Sequence, residues 1–507
     1  MFLSTNAVVV VDTRQVRSYQ EKESMRDWSG KRVVVIGAAR QGIALSRYLI
    51  HHGAKVVLND RLPMSELQAA LQALAGEPVE WVCGDHPLSV LNGADWVCPS
   101  GGVPLTLPLI VEAQYRGIPL SNDSQIFLEA APCPVVGITG SAGKTTTTAL
   151  VGRIAEAARS ISENTKLKSK TPRLSFINPQ PGRVWVGGNI GSPLIAVVDE
   201  MKPDDLAVME ISSFQLEEMQ SSPSVAAVLN ITPNHLDRHS TMEEYKEAKA
   251  RILKFQSQES IAVLNHSDPG SWDLRSKVRG MLVSFGLTPP PAGVSGAFLM
   301  PDGQTLAMRI YQGQKGDIPL LDRQDISLRG DHNLLNVLAA SAIAYAVGFP
   351  GEAILAGVRG FNGVPHRLEF VRSWGGADWY NDSIATAPER AMAAINSFHE
   401  PLILLAGGRD KNLPWDEFAA LVCRRVKQII LFGEAADKIA QAIENASLNT
   451  PTKITHCIGL HEAIDVAAEL VSPGDVVLLA PGGTSFDQFR DFEDRGEAFR
   501  RWVMELP

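Results

Sequence analysis

The sequence has few of the features that mark secreted, membrane-spanning or nucleic-acid-binding chains. Its five cysteines are scattered over 507 residues and no two form a C-x-x-C pair, which argues against a disulfide framework and against a zinc knuckle. No apolar run is long enough to span a bilayer, and no basic stretch precedes the first apolar run, as a secretion signal would require. The net charge of −9 disfavours nucleic acid or an anionic membrane as a partner. We expect a cytoplasmic protein.

The stretch that organises the chain is Val135–Ala149, which reads VVGITGSAGKTTTTA. An apolar run predicts a buried strand, the glycines predict a tight loop, and the threonines open a helix that we expect to reach about Ala157. Backbone N–H groups of such a loop, the helix N-terminus and the Lys144 ammonium bind phosphates, and the Thr145 hydroxyl is placed to ligate Mg²⁺. The phosphate-binding residues are predicted to be Gly140, Ser141, Ala142, Gly143, Lys144, Thr145 and Thr146. The spacing G-x-x-G-K-T is shorter than the general P-loop pattern.

The length and the alternation of strand and helix patterns predict an α/β protein of three domains. After an N-terminal extension (1–30) we expect a Rossmann-like domain (31–131). A central P-loop-type ATP-binding domain (132–360) should carry a surface insertion at about 159–183. A doubly wound C-terminal domain (361–507) completes the chain.

The first domain carries a degraded dinucleotide fingerprint. The turn after its first strand reads GAARQG, with Ala39 where the fingerprint has glycine, and Asp60 ends the second strand. This pattern favours a nucleotide sugar, or a purely structural crevice, over a dinucleotide. Asp60 is a candidate to accept hydrogen bonds from a ribose or a base, and a solvated turn aspartate is the alternative.

Side chains that could bind a metal ion or take part in catalysis follow neighbouring strands of the central domain. Glu210 closes an apolar strand, as a Walker-B acid does, and His235 follows the next strand. Ligands of open α/β sheets lie outside the carboxyl ends of the strands, where Lys144 and Thr145 are also expected. Glu210 is therefore predicted to hold Mg²⁺ with Thr145, and the predicted reaction class is phosphoryl transfer or hydrolysis.

Seven motifs in family-like order and spacing identify the chain as similar to the Mur ligases, which are ATP-dependent amide-forming enzymes of peptidoglycan precursor synthesis. The motifs are GITGSAGKTT, GGNIGSP, MEISSFQLE, LNITPNHLDRH, EEYKEAKARIL, RGDHNLLN and GVPHRLEF. The GGNIG, SSFQL, YNDS and SFDQF segments resemble the branch that adds D-glutamate to UDP-N-acetylmuramoyl-L-alanine. No DNPR signature of the diaminopimelate- or lysine-adding branch is present.

The resemblance implies a role for each matching residue. It implies that a substrate carboxylate attacks the γ-phosphate of ATP, and that the amine of D-glutamate then attacks the acyl phosphate. Two Mg²⁺ sites are implied, one at Thr145 and Glu210 and one at His235 and Lys249, a lysine that the family carries as a carbamate. Further implied contacts are Asn333 and Asn336 with adenine; Arg367, Asp382 and Thr386 with ATP; Lys411, Ser485 and Phe492 with D-glutamate; Asn189, Ser212 and Gln215 with the muramoyl end; and Asp60 with uridine. Lys144, Glu210, His235, Lys249 and Arg367 form the predicted catalytic set. A monomer is expected.

The chain departs from the family pattern at three places. Ile384 stands where the family usually has a lysine, and Arg409 and Lys411 are candidates to replace that cation. Gln41 replaces a small hydroxyl residue in the uridine loop, and Gly101 stands in place of a proline. Alternatives are a Mur-type ligase for a different amino acid, a folylpolyglutamate-synthetase-like enzyme, a P-loop ATPase or nucleotide-gated binding protein, and an inactive paralogue.

Overall fold

The computed structural model describes residues 26–164, 181–189, 191–233, 241–311, 316–328, 330–410, 413–446 and 452–507. The predicted N-terminal extension up to residue 25 and the core of the predicted insertion lie outside this part of the chain. The structure has two compact units. One contains the chain up to Arg323 together with Leu335–Val358, and the other contains Gln324–Leu334 and Arg359–Pro507.

The strands, in chain order, are β1 (Arg32–Ile36), β2 (Lys55–Asp60), β3 (Val79–Cys83), β4 (Trp96–Pro99), β5 (Val135–Thr139), β6 (Val184–Gly188), β7 (Leu206–Glu210), β8 (Val225–Val228), β9 (Ile261–Asn265), β10 (Met281–Gly286), β11 (Ser295–Leu299), β12 (Thr305–Arg309), β13 (Asp317–Asp322), β14 (Glu369–Trp374), β15 (Ala377–Asn381), β16 (Leu402–Gly407), β17 (Val426–Phe432), β18 (Lys453–Cys457) and β19 (Val476–Gly482).

The α-helices are α1 (Arg40–His51), α2 (Gln68–Ala73), α3 (Pro108–Tyr115), α4 (Asp123–Ala130), α5 (Lys144–Asn164), α6 (Ser213–Glu217), α7 (Met242–Lys254), α8 (Pro269–Trp272), α9 (Asp331–Val347), α10 (Gly351–Val358), α11 (Pro388–Ile395), α12 (Asp416–Arg425), α13 (Ala436–Ala446), α14 (Leu460–Leu470) and α15 (Phe492–Glu505). No helix of the described residues is long and apolar enough to cross a membrane.

The first sheet is parallel and has the order β3-β2-β1-β4. Because the order reverses between β1 and β4, the loops that follow these two strands border the crevice where ligands of such sheets bind. The β1–α1 turn needs glycine at position 42, since a Cβ there would lie 1.8 Å from the Gly37 carbonyl oxygen. The predicted Rossmann-like arrangement is confirmed.

The second sheet has nine strands in the order β13-β12-β11-β10-β9-β8-β5-β7-β6. The strands from β6 to β11 pair in parallel, and β12 and β13 form an antiparallel edge. Strands β5, β7, β8 and β9 are buried at every residue, as expected of parallel strands covered on both faces. This order places the carboxyl ends of β7, β5 and β8 side by side. Helix α5 extends to Asn164, past the predicted end at Ala157.

The third sheet lies in the second unit and has the order β14-β15-β19-β16-β17-β18. Only the β14–β15 pair is antiparallel, so the predicted doubly wound arrangement is confirmed. Helix α11 ends at Ile395, and a single turn follows in which the Phe398 N–H donates to the Ile395 carbonyl.

Candidate active site

The loop between β5 and α5 has the geometry of a phosphate-binding loop. Gly143 has a φ of +82°, and a Cβ on it would lie 2.2 Å from the Asn336 side-chain oxygen, so both conformation and space require glycine. The Lys144 side chain folds back over the loop, and its ammonium group donates to the Gly140 carbonyl at 2.8 Å. The loop therefore brings Lys144 together with the N-terminus of the 21-residue helix α5, as phosphate binding requires.

The loop is fixed from the β8 side by side-chain hydrogen bonds. The Ala142 N–H donates to Asn230 Oδ1 at 2.8 Å, and the Ser141 hydroxyl donates to the Thr232 carbonyl at 2.9 Å. Ser141 also accepts from the hydroxyl of Tyr245 at 3.1 Å. In this structure the Ser141 side chain and the Ala142 N–H therefore form hydrogen bonds that fix the conformation of the loop.

Thr145 and Glu210 form the candidate magnesium site. The Thr145 hydroxyl lies 2.9 Å from Glu210 Oε2, and the Asn189 amide donates to Glu210 Oε1 at 3.0 Å. Both Thr145 and Glu210 are buried. A hydroxyl and a carboxylate in contact beside a phosphate loop are hard oxygen donors of the kind Mg²⁺ prefers. Among the described residues no three His, Cys, Asp or Glu side chains form a metal cluster.

Lys249 is buried beneath the same loop. Only 1% of the residue is exposed, and its Nζ donates to the Gly140 carbonyl at 3.0 Å. Burial, together with the nearby charge of Lys144, holds the pKa of Lys249 well below its usual range, although Glu210 opposes the shift. The lowered pKa favours the neutral amine, which is the nucleophilic form of a lysine.

Tyr245 supports Lys249 and was missed at the sequence level. The Lys249 Nζ lies 4.6 Å from the centroid of the Tyr245 ring. The two residues are four apart on α7 and thus share a helix face, and this spacing would have pointed to the pair. Tyr245 is also fully buried. Because its hydroxyl donates to Ser141 and its ring contacts Lys249, it connects Lys249 to the loop.

The predicted adenine residues Asn333 and Asn336 both lie in α9. Asn336 is 6% exposed and packs against Gly143, and its Oδ1 accepts a 3.5 Å hydrogen bond from the Thr147 hydroxyl. The structure therefore places Asn336 at the phosphate loop. The adenine contacts of both residues stay predictions.

Three of the predicted nucleotide-sugar residues of the first unit lie at two places, and the fourth, Asn189, lies against Glu210. Asp60 is held by the backbone, accepting from the N–H groups of Ala38 at 2.7 Å and Leu62 at 2.9 Å. Ser212 and Gln215 form a capping box at the start of α6. Asp60 therefore orients the β1–α1 loop, and its contact with uridine stays a prediction.

In the second unit, Arg367 sits between two residues in left-handed backbone conformations. His366 has a φ of +63° and Leu368 a φ of +44°. Asp382 accepts from the Leu368 N–H at 3.0 Å. Burial raises the pKa of Asp382 to about 7, although the charges of Arg367 and Arg390 oppose the shift. Strained backbone and a perturbed carboxyl occur together mainly at functional sites.

A buried arginine, also missed at the sequence level, joins the remaining predicted residues of this unit. Arg495 is fully buried and donates to the Ser383 hydroxyl at 3.0 Å and to the Gly483 carbonyl at 3.2 Å. It thereby links the loop after β15, which carries Asp382 and Thr386, to the loop after β19, which carries Ser485. Phe492, at the start of α15, packs edge-on against the ring of His366.

Three further residues from the sequence predictions remain: the metal-ligand candidate His235 and the candidate replacement cations Arg409 and Lys411. His235 and Lys411 lie outside the described residues. Arg409, a candidate to replace the family lysine at position 384, is held by Glu434 through two hydrogen bonds of 3.1 and 3.2 Å. The Ile384 side chain offers no polar atom, and its N–H donates to the His366 carbonyl.

A phosphate loop with a Thr–Glu pair on a mostly parallel sheet, in a chain that also forms two further α/β sheets, defines the class of three-sheet nucleotide-binding proteins. The chain belongs to the Mur ligase family: residues 31–122 match the Mur ligase MurD-like N-terminal domain, 138–344 the Mur ligase middle domain, and 366–483 the Mur ligase glutamate ligase domain. Enzymes of this family use ATP and Mg²⁺, and the residues around Gly140 fit both.

Curated relatives resemble the chain over nearly its whole length. A UDP-N-acetylmuramoylalanine–D-glutamate ligase of Symbiobacterium thermophilum is 39% identical over 94% of this chain and 98% of the relative. The ligase of the same name from Pelotomaculum thermopropionicum is 38% identical over 95% and 99%. The crystal structure of the UDP-N-acetylmuramate–alanine ligase of Thermotoga maritima shares the fold, with 18% identity, a TM-score of 0.53, and coverage of 94% of this chain and 100% of that one.

Proposed function

We propose that the protein joins D-glutamate to UDP-N-acetylmuramoyl-L-alanine at the expense of ATP, in peptidoglycan precursor synthesis. The observation that carries the proposal is the convergence of Lys144, Lys249 and the Thr145–Glu210 pair on the Gly140 loop. It occurs in a chain that aligns over 94–95% of its length with ligases of that name.

In the proposed reaction the carboxylate of the nucleotide sugar attacks the γ-phosphate of ATP and ADP leaves. The amine of D-glutamate then attacks the acyl phosphate, a proton leaves the nitrogen, and the tetrahedral intermediate expels phosphate. Two anions must approach each other in the first step, so fixed positive charge at the loop lowers its barrier. Lys144 supplies that charge, and Thr145 and Glu210 would hold Mg²⁺, which screens the phosphates when bound.

Lys249 is proposed to work as a carbamate. Its neutral amine attacks CO₂, forming an N–C bond and releasing one proton to solvent, and the product carries a carboxylate in place of an ammonium. This change removes the like-charge contact with Lys144 and creates an oxygen ligand beside the loop. His235 is proposed to complete that second Mg²⁺ site.

The second unit is proposed to serve the incoming amino acid and the far side of ATP. Arg367, Asp382 and Thr386 are assigned to ATP, and Ser485, Phe492 and Lys411 to D-glutamate. Asn333 and Asn336 are assigned to adenine. The nucleotide sugar is assigned to Asp60, Asn189, Ser212 and Gln215. The domain bounds proposed are those predicted, with 132–360 as the ATPase domain and 361–507 as the amino-acid domain.

Phosphate release from ATP tests the proposal. The assay contains UDP-N-acetylmuramoyl-L-alanine and, in separate reactions, D-glutamate, L-glutamate, L-lysine or no amino acid. Release that needs both the nucleotide sugar and D-glutamate is the expected result. Release with a different amino acid would assign another ligation step to the same mechanism. Release without either co-substrate would favour an ATPase, and no release would favour an inactive paralogue.

A further inference from the structure

Trp415 is a buried residue of the second unit that the proposed reaction leaves without a role. It directly precedes helix α12 and is 3% exposed. Its ring packs edge-on against the ring of Phe418, with the centroids 5.2 Å apart. The neighbouring parallel strands β16 and β19 are followed by the segments that carry Lys411 and Ser485, both assigned to D-glutamate. The contacts of Trp415 with these two segments suggest what it does.

The indole N–H of Trp415 holds the loop after β16. Its Nε1 donates to Asp410 Oδ1 at 3.3 Å, and Nζ of Lys438, in helix α13, donates to Asp410 Oδ2 at 2.5 Å. Each carboxylate oxygen of Asp410 thus has its own donor. Lys411 is the next residue in the chain, so the two hydrogen bonds fix the residue that immediately precedes it.

The ring of the same tryptophan lies against the last residue of β19. That residue, Gly482, has a φ of +69°, and a Cβ on it would lie 2.8 Å from both Cη2 and Cζ3 of Trp415. Because this space is too small for a Cβ, the indole packs directly on the Gly482 backbone. Ser485 follows three residues later and is 1% exposed.

The two loops are also joined by backbone hydrogen bonds. The Arg409 N–H donates to the Thr484 carbonyl at 2.8 Å, and the Thr484 N–H donates to the Arg409 carbonyl at 2.9 Å. A Cβ on Gly408 would lie 2.2 Å from the Thr484 carbonyl oxygen, which shows how closely the loops approach. Trp415 contacts both loops within two residues of this meeting point.

We propose that Trp415 is a positioning residue for D-glutamate, because one rigid side chain sets the separation of the loops that carry Lys411 and Ser485. Its N–H holds Asp410 in one loop, and its ring packs on Gly482 in the other. The inference rests on the proposed function, which assigns both loops to the incoming amino acid. The amine of that substrate must be held in line with the acyl phosphate, so a change in loop separation should weaken its productive binding.

The test is the kinetics of Trp415→Phe, which keeps a buried aromatic ring and removes the N–H. We expect KM for D-glutamate to rise about fivefold, as for the loss of one hydrogen bond. The KM values for ATP and for UDP-N-acetylmuramoyl-L-alanine should stay within about twofold. The matched control is Trp379→Phe in β15, because Trp379 is also buried and its Nε1 also donates over 3.3 Å, to the Trp374 carbonyl. All three KM values should stay unchanged in the control.

Two variants of the half-buried Asp410 separate the hydrogen bond from a loss of folding. Asp410→Ala removes the acceptor of the indole N–H and should raise the same KM. Asp410→Asn keeps an oxygen for the indole and loses only the ion pair with Lys438, whose side chain is 47% exposed, so KM should stay within about twofold. Because Trp415 and Asp410 act through one contact, combining Trp415→Phe with Asp410→Ala should add little to either single change.

An unchanged KM for D-glutamate in Trp415→Phe and Asp410→Ala would overturn the inference. An equal rise in the Trp379→Phe control, a rise in every KM, or an Asp410→Asn protein as impaired as Asp410→Ala would also overturn it.

Calorimetric titration of D-glutamate, with ADP and the nucleotide sugar present, provides a readout that does not need turnover. If the unmodified protein released no phosphate but bound D-glutamate more tightly than Trp415→Phe and Asp410→Ala do, the proposed reaction would fail while the positioning role stood. An unmodified protein that bound no D-glutamate would refute both.

Discussion

The side chains of Lys144 and Lys249 donate to the same acceptor, the carbonyl oxygen of Gly140, at 2.8 and 3.0 Å. Two ammonium groups this close repel each other, and burial adds to the cost of charging the inner one. The inner lysine, Lys249, is accordingly the one whose pKa falls. The lowered pKa favours the neutral, nucleophilic form of Lys249.

Replacing Lys249 should remove the proposed carbamate. Lys249→Ala is expected to lower kcat by at least about 100-fold, as loss of a charge-stabilising group at a reaction centre does. Added acetate should restore part of the activity, because its carboxylate fits the vacated space. The control is Lys246→Ala on the same helix, because the half-buried side chain of Lys246 pairs with Asp273 and does not reach the loop. Full activity of Lys249→Ala without acetate would contradict the assignment, as would the absence of a carbamate ¹³C NMR signal after equilibration with ¹³CO₂.

Replacing Lys144 should stop phosphoryl transfer while sparing the nucleotide-sugar site. Lys144→Ala is expected to lower kcat by about 10³-fold, since no other described cation donates to the Gly140 loop except Lys249. The phosphate-release assay measures this loss. Calorimetric titration of the nucleotide sugar should give an unchanged Kd, and a comparable loss of that affinity would argue that the change disrupts the fold.

Thr145 offers a matched pair of variants for the magnesium site. Thr145→Ser keeps the hydroxyl that lies against Glu210 and should retain activity within about threefold. Thr145→Ala removes it, and the Mg²⁺ concentration for half-maximal activity should rise at least tenfold, as for other losses in a metal site. Equal Mg²⁺ dependence in the two variants would show that the hydroxyl is not a ligand.

Gly143 should not tolerate a side chain. Gly143→Ala would place a Cβ 2.2 Å from Asn336 Oδ1 at a φ of +82°, which should cost about 1–3 kcal/mol and displace the loop. We expect a lower melting temperature and weaker binding of ATP. Gly351→Ala is the control, because its Cβ would meet only Leu320 Cδ2 at 3.7 Å. Equal melting temperatures for the two variants would contradict the argument.

The raised pKa of Asp123 predicts that the stability of the protein depends on pH. Its pKa is raised by burial from 3.8 to about 6, so the folded state binds more protons than the unfolded state between those values. Asp123 therefore makes its full contribution to the free energy of unfolding below about pH 4. This contribution falls by roughly 3 kcal/mol as pH rises through 6. Asp123→Asn lacks this loss and should melt higher than the parent at pH 8, with a smaller difference at pH 5. A constant difference would refute the shifted pKa.

Much of this architecture could be predicted because the signals are local. Apolar runs predicted most strands of the three sheets, although no strand was predicted at β6 or β14. The succession of strand, loop, lysine and helix over Val135–Ala149 predicted the phosphate loop. Glu210 was predicted from its place at the end of an apolar strand. Each of these features depends on neighbours within about twenty residues.

Other features were decided by tertiary packing. Lys249 reads as a solvated lysine on a charged helix, yet it is buried against a carbonyl 109 residues away in the chain. The side chains of Gln41 and Gln215 both lie near the place that a Cβ of Gly101 would take, although the three residues come from separate segments and no spacing in the sequence records it. Sequence alone therefore determined the elements, the phosphate loop and the class of chemistry. Only the fold decided which charges are buried, because burial and the electrostatic neighbours that shift a pKa come from chain segments that sequence distance does not relate.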